Sequence, residues 1–427
     1  MRDRDQLFSS HTFFCLLKIC TMADSSSSMP PEWNRWQHDS AKYDLFSPSV
    51  SPISVAELFE VSEDRTGSKQ QLALDDVRLN DDESPLGHAQ LRKNLASLYS
   101  ARSAGVTHEN IRITNAAASA NYAVLSALLS KGDHAICQHP IDNVLFGALE
   151  SLDIEVALWE AEPAKKWQLD VQDLKDVIKE NTKLIVIQSP CDPTGTVVSK
   201  SKLEALIEVA QEKDIIILAD ESYRPLFHSL SPSDEDFPPS AINMGYRKVI
   251  VTGTINHAYS LPGTKAGWIA CKDKEILEAC QPTQIRIASA PSRLDELVAA
   301  EALSDRCIHA LLGRNIRLCQ TNLELLQGFI EEHSWSVSWV KPQAGTTAML
   351  KFHKMGKPVD DVAFCAALLK EAGIFLCPAS TTFGNSKSYR GFIRIAFGAP
   401  TSQFKAALAA WTSFMEAYES VPTVSQK

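Results

Sequence analysis

Short aliphatic and β-branched runs recur through the middle of the chain, each followed by a stretch whose apolar positions return every three or four residues. The runs lie at 134–137, 154–158, 183–187, 215–219 and 248–251, and 169–181 and 200–213 carry apolar residues at helical spacing. Strands that are apolar throughout are buried on both faces, so the pattern predicts a mostly parallel sheet covered by helices on both sides. Beyond about residue 299 the rhythm changes. A helical stretch over 310–332 leads to short strands at 336–340 and 348–352, a helix near 362–372, a strand at 391–397 and a last helix over 402–417. These predict a smaller α+β domain. The expected division is a leader over 1–30, an N-terminal segment over 31–85 packing on the small domain, a large domain over 86–300, a small domain over 301–420 and a tail over 421–427.

Composition changes this picture little. With 427 residues, 44% hydrophobic and 22% charged, the chain is long enough for a large core in two or three domains. A net charge of −10 argues against the concentrated basic surface that nucleic acid or an anionic membrane would select. Small molecules and protein partners are expected instead. Ten cysteines without a Cys-x-x-Cys pair or zinc-like spacing predict free thiols in a reducing, cytoplasmic compartment, and no metal site. The apolar run from Thr12 to Leu17 is stopped by Lys18, too short for a membrane span and a poor signal peptide; Met22 offers an alternative start.

The candidate chemistry lies in loops that follow the expected strands. The 248–251 run continues into Thr252-Gly253-Thr254-Ile255-Asn256-His257-Ala258-Tyr259-Ser260-Leu261-Pro262-Gly263-Thr264-Lys265-Ala266-Gly267-Trp268. Asp220-Glu221-Ser222-Tyr223 closes the 215–219 run, and Ser189-Pro190-Cys191-Asp192-Pro193-Thr194-Gly195 follows the 183–187 run. His139-Pro140-Ile141-Asp142 follows the 134–137 run, Asn115-Ala116-Ala117-Ala118-Ser119 opens a helix, and Arg394 sits in the strand at 391–397. In open α/β sheets ligands bind beyond the carboxyl ends of the strands, so these loops are read together. Each also has a plainer explanation. Asp220 could cap a helix, Pro193-Thr194-Gly195 could be turn chemistry, Ala116 to Ala118 an ordinary helix start, Arg394 a surface ion pair, and His257 a packed polar residue.

Taken in order, the loops resemble those of class I/II, fold-type I, pyridoxal phosphate (PLP)-dependent aminotransferases, in the form common in fungal secondary metabolism, over residues 33–420. The resemblance implies an α/β protein of PLP-transferase fold type I, with a mostly parallel seven-stranded sheet in a large domain plus a smaller α+β domain. It implies a homodimer with clefts near the subunit boundary. It assigns Asp220 to the cofactor ring nitrogen and Tyr223 to the ring oxygen. Ala117, Ala118, Thr254 and Lys265 would lie at the phosphate, and Arg394 at a substrate carboxylate.

The departures from the resemblance fall at its chemical centre. His257 takes the place of the lysine that carries PLP as a Schiff base, and an imidazole moves protons but forms no stable aldimine. Asp192 replaces an asparagine that contacts the ring, Asp142 a tyrosine that stacks on it, and Asp82 a tyrosine that reaches the phosphate. Ala116 replaces a glycine, and Lys265 replaces an arginine, keeping the charge without the fork. At an effective dielectric near 20, a carboxylate about 6 Å from a phosphate charge opposes its binding by roughly 3 kcal/mol. No covalent aldimine is therefore expected, and PLP or PMP would bind weakly. The expectation is a diverged enzyme in which His257, Asp142, Asp192 and Tyr223 carry acid–base chemistry on a small carboxylate or amino-acid-derived intermediate held by Arg394. Three alternatives stay open: a PLP- or PMP-dependent enzyme with His257 as base, a catalytically silent dimer partner or scaffold, and an ordinary aminotransferase.

Overall fold

The computed structural model describes residues 41–424 apart from 74, 76, 79–83, 101–104, 289 and 384–387. The expected leader, the last three residues of the tail and Asp82 lie outside the described residues. The chain enters as a two-residue strand, β1 (Tyr43–Asp44). It then builds a seven-stranded sheet from β2 (Ile111–Thr114), β3 (His134–His139), β4 (Glu155–Glu160), β5 (Thr182–Gln188), β6 (Ile216–Asp220), β7 (Val249–Thr254) and β8 (Gly267–Cys271). The order is β2-β8-β7-β6-β5-β3-β4, parallel from β7 to β4, with β8 antiparallel to both of its neighbours.

Alternate side chains of the apolar strands supply two separate layers. Ile136, Ile185, Ile187, Ile217 and Val251 face one core, while Ala135, Cys137, Leu184, Val186, Leu218 and Ile250 face the other. The second layer is closed by the Ala116–Leu128, Asn143–Glu150 and Lys274–Ile287 helices, through Val124, Leu145 and Leu277. Each large aliphatic residue so buried contributes about 1.5–3 kcal/mol. The expected strands and helices lie within a few residues of where the pattern puts them. The helix expected over 169–181 is shorter, Val171–Val177: the Asp170 carboxylate accepts from the Gln172 N–H at 2.9 Å to start it, and Ile178 is already extended.

The smaller sheet contains β9 (Val337–Trp339), β10 (Thr347–Lys354), β11 (Lys357–Pro358), β13 (Cys377–Pro378) and β14 (Phe392–Ala396), all antiparallel, while β12 (Ile374–Phe375) pairs in parallel with β1. Phe352, Phe364 and Trp411 pack together beneath it, and the 28-residue helix Asp305–Glu332 adds Phe329. The segment between β1 and the Val55–Val61 helix crosses between the two sheets as a strap. Its backbone bonds run from Val50 N–H to the His257 carbonyl, from Ser51 N–H to Gly398 and from Ile53 N–H to Ser260. Ser54 ends the strap: its hydroxyl accepts from Glu57 N–H, and the Glu57 carboxylate accepts from Ser54 N–H.

Candidate active site

Because β3, β5, β6 and β7 run parallel, the loops that leave their carboxyl ends meet at one edge of the sheet. Asp142, Asp192, Asp220 with Tyr223, and His257 come from those four loops in turn. Arg394 arrives from β14 of the smaller sheet, and the strap supplies Phe46 and Ser49. The expected site residues are thus assembled from distant parts of the chain.

His257 lies flat on Tyr223, with ring centroids 4.6 Å apart and planes inclined by 13°. Its Nδ1 is 3.3 Å from the Ser49 hydroxyl. The Tyr223 hydroxyl donates to Asp192 Oδ2 at 3.0 Å, and Arg394 Nε stands 3.5 Å from Asp192 Oδ1. Arg394 also donates from Nη1 to the Phe46 carbonyl, and its guanidinium lies over the Phe46 ring at 5.0 Å. A series linked by stacking, a hydrogen bond and an ion pair therefore runs from imidazole through phenol and carboxylate to guanidinium, with Tyr223, Asp192 and Arg394 all buried.

The charges act on one another strongly. Burial first, and then the Asp192 and Asp142 charges, push the Tyr223 phenol well above its ordinary range. Burial works against the Arg394 cation, but Asp192 with Cys377, Tyr223 and Asp142 together more than offset it and the guanidinium is held charged. Asp142 caps the Asn143–Glu150 helix, its Oδ1 accepting from Val144 and Leu145 N–H at 3.0 Å each. Burial and the Asp192 charge nonetheless raise its carboxyl to about 7.

Asp220 ends β6 and is buried. It accepts from Asn121 Nδ2 at 2.8 Å and from Ser222 N–H at 2.8 Å, while Thr252 donates its hydroxyl to Asn121 Oδ1 at 2.6 Å. Burial raises its pKa, against the pull of the Ser222 and Asn121 hydrogen bonds. Asp192 is set by another relay, its N–H donating to the Gln188 side chain at 2.9 Å and Gln188 N–H donating to Gln138 at 3.0 Å. Gly195, at φ +66°, is fixed because a Cβ there would strike Pro342 and the Thr347 carbonyl, and its own carbonyl accepts from Gln343 and Ala344 N–H.

Ala116 adopts φ +63° at the start of the Ala116–Leu128 helix, a left-handed conformation unusual for alanine. Its N–H donates to the Lys265 carbonyl, and Gly267 lies so close that any side chain there would enter the Ala116 backbone. Ala117 and Ala118 follow in the first turn. Thr254 is buried and donates to the Ala266 carbonyl at 3.1 Å. Lys265 is exposed and its ammonium donates to the Pro262 carbonyl of its own loop at 2.7 Å. Among the described residues no lysine is buried, and no three His, Cys, Asp or Glu side chains are placed to share a metal ion.

A family model described as "Aminotransferase class I and II" matches residues 63–410. The chain belongs to this family. Its similarities within the aminotransferase family extend over most of the fold. A PLP-dependent aminotransferase structure from Streptococcus suis shares 30% identity at a TM-score of 0.80, covering 91% of this chain and 96% of that one. The structure of a PLP-dependent cyclase, OrfR, shares 25% identity at a TM-score of 0.78, covering 92% and 98%. Capreomycidine synthase from Streptomyces vinaceus is 25% identical over 380 residues, 89% of this chain and 91% of the relative.

Four contributors were not singled out from the sequence. Asn121 and Thr252 hold Asp220, and Ser49 and Phe46 hold His257 and Arg394. Asn121 had a legible signal, the one amide side chain in the largely alanine and aliphatic helix that opens at Ala116. The strap had none, since its approach depends on long-range pairing between β1 and β12.

Proposed function

We propose that this chain is a diverged aminotransferase-family enzyme, acting in a secondary-metabolite pathway of the cytoplasm, that uses His257-centred proton transfer in place of lysine chemistry. The observation that carries this reading is the series His257, Tyr223, Asp192 and Arg394, in which an imidazole faces a buried phenol whose hydroxyl is already committed to a carboxylate. Nδ1 is held against the Ser49 hydroxyl, and the imidazole is the group that takes a proton from a substrate C–H or N–H and returns it. Tyr223 supplies the flat surface on which that imidazole is held. Asp142, poised near 7, is the second group able to exchange a proton at neutral pH. The substrate is a small carboxylate or an amino-acid-derived intermediate, with Arg394 the cation nearest the cleft.

A second reading is favoured by Asp220. A carboxylate buried this completely and held by Asn121 and Ser222 N–H suits a ring nitrogen that must stay protonated, and Tyr223 follows on the same loop. These residues fit the ring of PLP or PMP, and the first-turn backbone of Ala117 and Ala118 fits a phosphate. When bound, such a cofactor supplies an electron sink for charge developing beside the proton that His257 moves. His257 in the lysine place and the outward-turned Lys265 support non-covalent retention.

One experiment tests the proton-transfer role without a known product. Purified protein, with and without added PLP or PMP, is incubated in D₂O with a panel of amino acids and 2-oxo acids, and deuterium at carbon is followed by NMR. The expected result is exchange into at least one compound that falls about 10²–10⁴-fold in His257→Ala, the usual contribution of a general acid–base group. Exchange that survives His257→Ala undiminished, or borohydride reduction that fixes pyridoxyl on Lys265 with turnover, would overturn the reading.

A further inference from the structure

We propose that His139 is a positioning residue: through Tyr389 it clamps the segment that leads into β14 against the loop that carries Asp142, and this clamp sets how well the cleft holds its substrate. The proposal rests on the reading of the cleft as a working active site and names a residue that serves it without touching the reacting atoms. Three observations converge on it. First, the contact is directed. His139 is the last residue of β3 and is 7% exposed, and its Nδ1 lies 3.0 Å from the Tyr389 hydroxyl. Burial lowers its pKa against the pull of Glu160 and the Phe383 backbone, so the ring is neutral at neutral pH and keeps a nitrogen that can accept from the tyrosine O–H.

Second, both rings are held in place by their neighbours. Phe146 packs on His139 with ring centroids 5.8 Å apart, and Trp167 and Phe392 pack on Tyr389 at 6.0 and 6.3 Å. Tyr389 takes φ +58°, a left-handed conformation that a residue with a large side chain keeps only where its surroundings impose it. Its carbonyl then accepts from Phe392 N–H at 3.0 Å, and Gly391 N–H donates to Asp361, at the start of β14. Third, the elements so joined carry two charges that act on each other across the cleft. Asp142 follows His139 by three residues and Arg394 follows Tyr389 by five, and each of the two shifts the ionisation of the other. They belong to different sheets. His257 and Tyr223 leave the large sheet together, at β7 and β6, and stack on each other. Loosening the clamp therefore alters the spacing across which a substrate is held and leaves the stacked pair in place. A change of that kind raises KM with little effect on kcat.

The test takes whichever amino acid or 2-oxo acid the wild-type protein exchanges in D₂O and measures KM and kcat for that exchange in Tyr389→Phe, His139→Ala and the double variant. Amide hydrogen exchange of the same proteins is read by mass spectrometry. Tyr389→Phe keeps the ring and removes only the hydroxyl, so it decides the matter if His139→Ala does not fold. It is expected to raise KM about three- to tenfold, the worth of one hydrogen bond, with kcat unchanged within about twofold. Amides at 388–393 should exchange faster while those of β5, β6 and β7 keep their protection. His139→Ala should do at least as much, and the double variant should match it, because both changes remove one contact. An unchanged KM in Tyr389→Phe, a fall in kcat instead, loss of protection across both sheets, or additive effects in the double variant overturns the proposal. A wild-type protein that exchanges no compound fails the proton-transfer reading, and the positioning role falls with it. A wild type that exchanges, beside a Tyr389→Phe of equal KM, fails the clamp alone.

Discussion

At the scale of single residues, the candidate site is a set of charges whose states are fixed by each other rather than by water. Asp142 makes this measurable. Its folded pKa of about 7 lies above the ordinary carboxylate value near 4, because burial and the Asp192 charge both oppose ionisation. Between those pH values the folded protein holds a proton that the unfolded chain has lost. Stability from this group is therefore fully present below about pH 4 and is lost as pH rises towards 7, by at most about 1.4 kcal/mol per pH unit. Asp142→Asn removes the titration but keeps a side-chain oxygen for the Val144 and Leu145 N–H groups. Urea unfolding at pH 5 and pH 8 should show the variant gaining stability relative to wild type at the higher pH. Parallel pH profiles for the two proteins would mean that Asp142 is ionised throughout.

At the scale of elements, the parallel strands were legible because continuous apolar runs leave few alternatives, and the loops after them were legible because each carries a polar or turn residue out of place in a strand. Asp192, Asp220 and His257 could therefore be read as neighbours before the fold was known. Their spacing could not, because the 3.0 Å bond from Tyr223 to Asp192 and the strap over His257 depend on tertiary approach. The helix start at Ala116 shows the same division. Its small residues were plain in the sequence, but φ +63° there is not a property of alanine; it follows from the close crossing of Gly267 and the bond to the Lys265 carbonyl. Glycine adopts that conformation without the steric penalty of roughly 1–2 kcal/mol that a Cβ brings. Ala116→Gly should thus stabilise the fold by about 0.5–1 kcal/mol, after glycine's greater loss of backbone entropy is set against the relieved strain. Thermal unfolding compared with the same substitution at Ala123, buried in the interior of that helix, checks this: the first should rise and the second should fall.

At the scale of the whole molecule, the two sheets are joined by charge as well as by apolar packing, since Arg394 comes from the small sheet and Asp192 from the large one. We propose a second level of assembly, the homodimer that the resemblance implies, with its boundary beside the cleft. The described surface offers a place for it. Ile285, Ile287 and Leu294 are each 38–43% exposed at the end of the Lys274–Ile287 helix and the start of the Arg293–Ala302 helix, a concentration of large apolar groups that the aqueous surface gains nothing from leaving bare. An interface of ordinary size, roughly 1,200–2,000 Å², would cover such a region. Sedimentation equilibrium at micromolar concentration should give twice the chain mass. Ile287→Glu with Leu294→Glu should lower that to a single chain with circular dichroism unchanged, because both side chains project from helix ends and neither belongs to the buried core. A wild-type monomer would remove the homodimer from the description, and a charged double variant that remains dimeric would move the interface to another face.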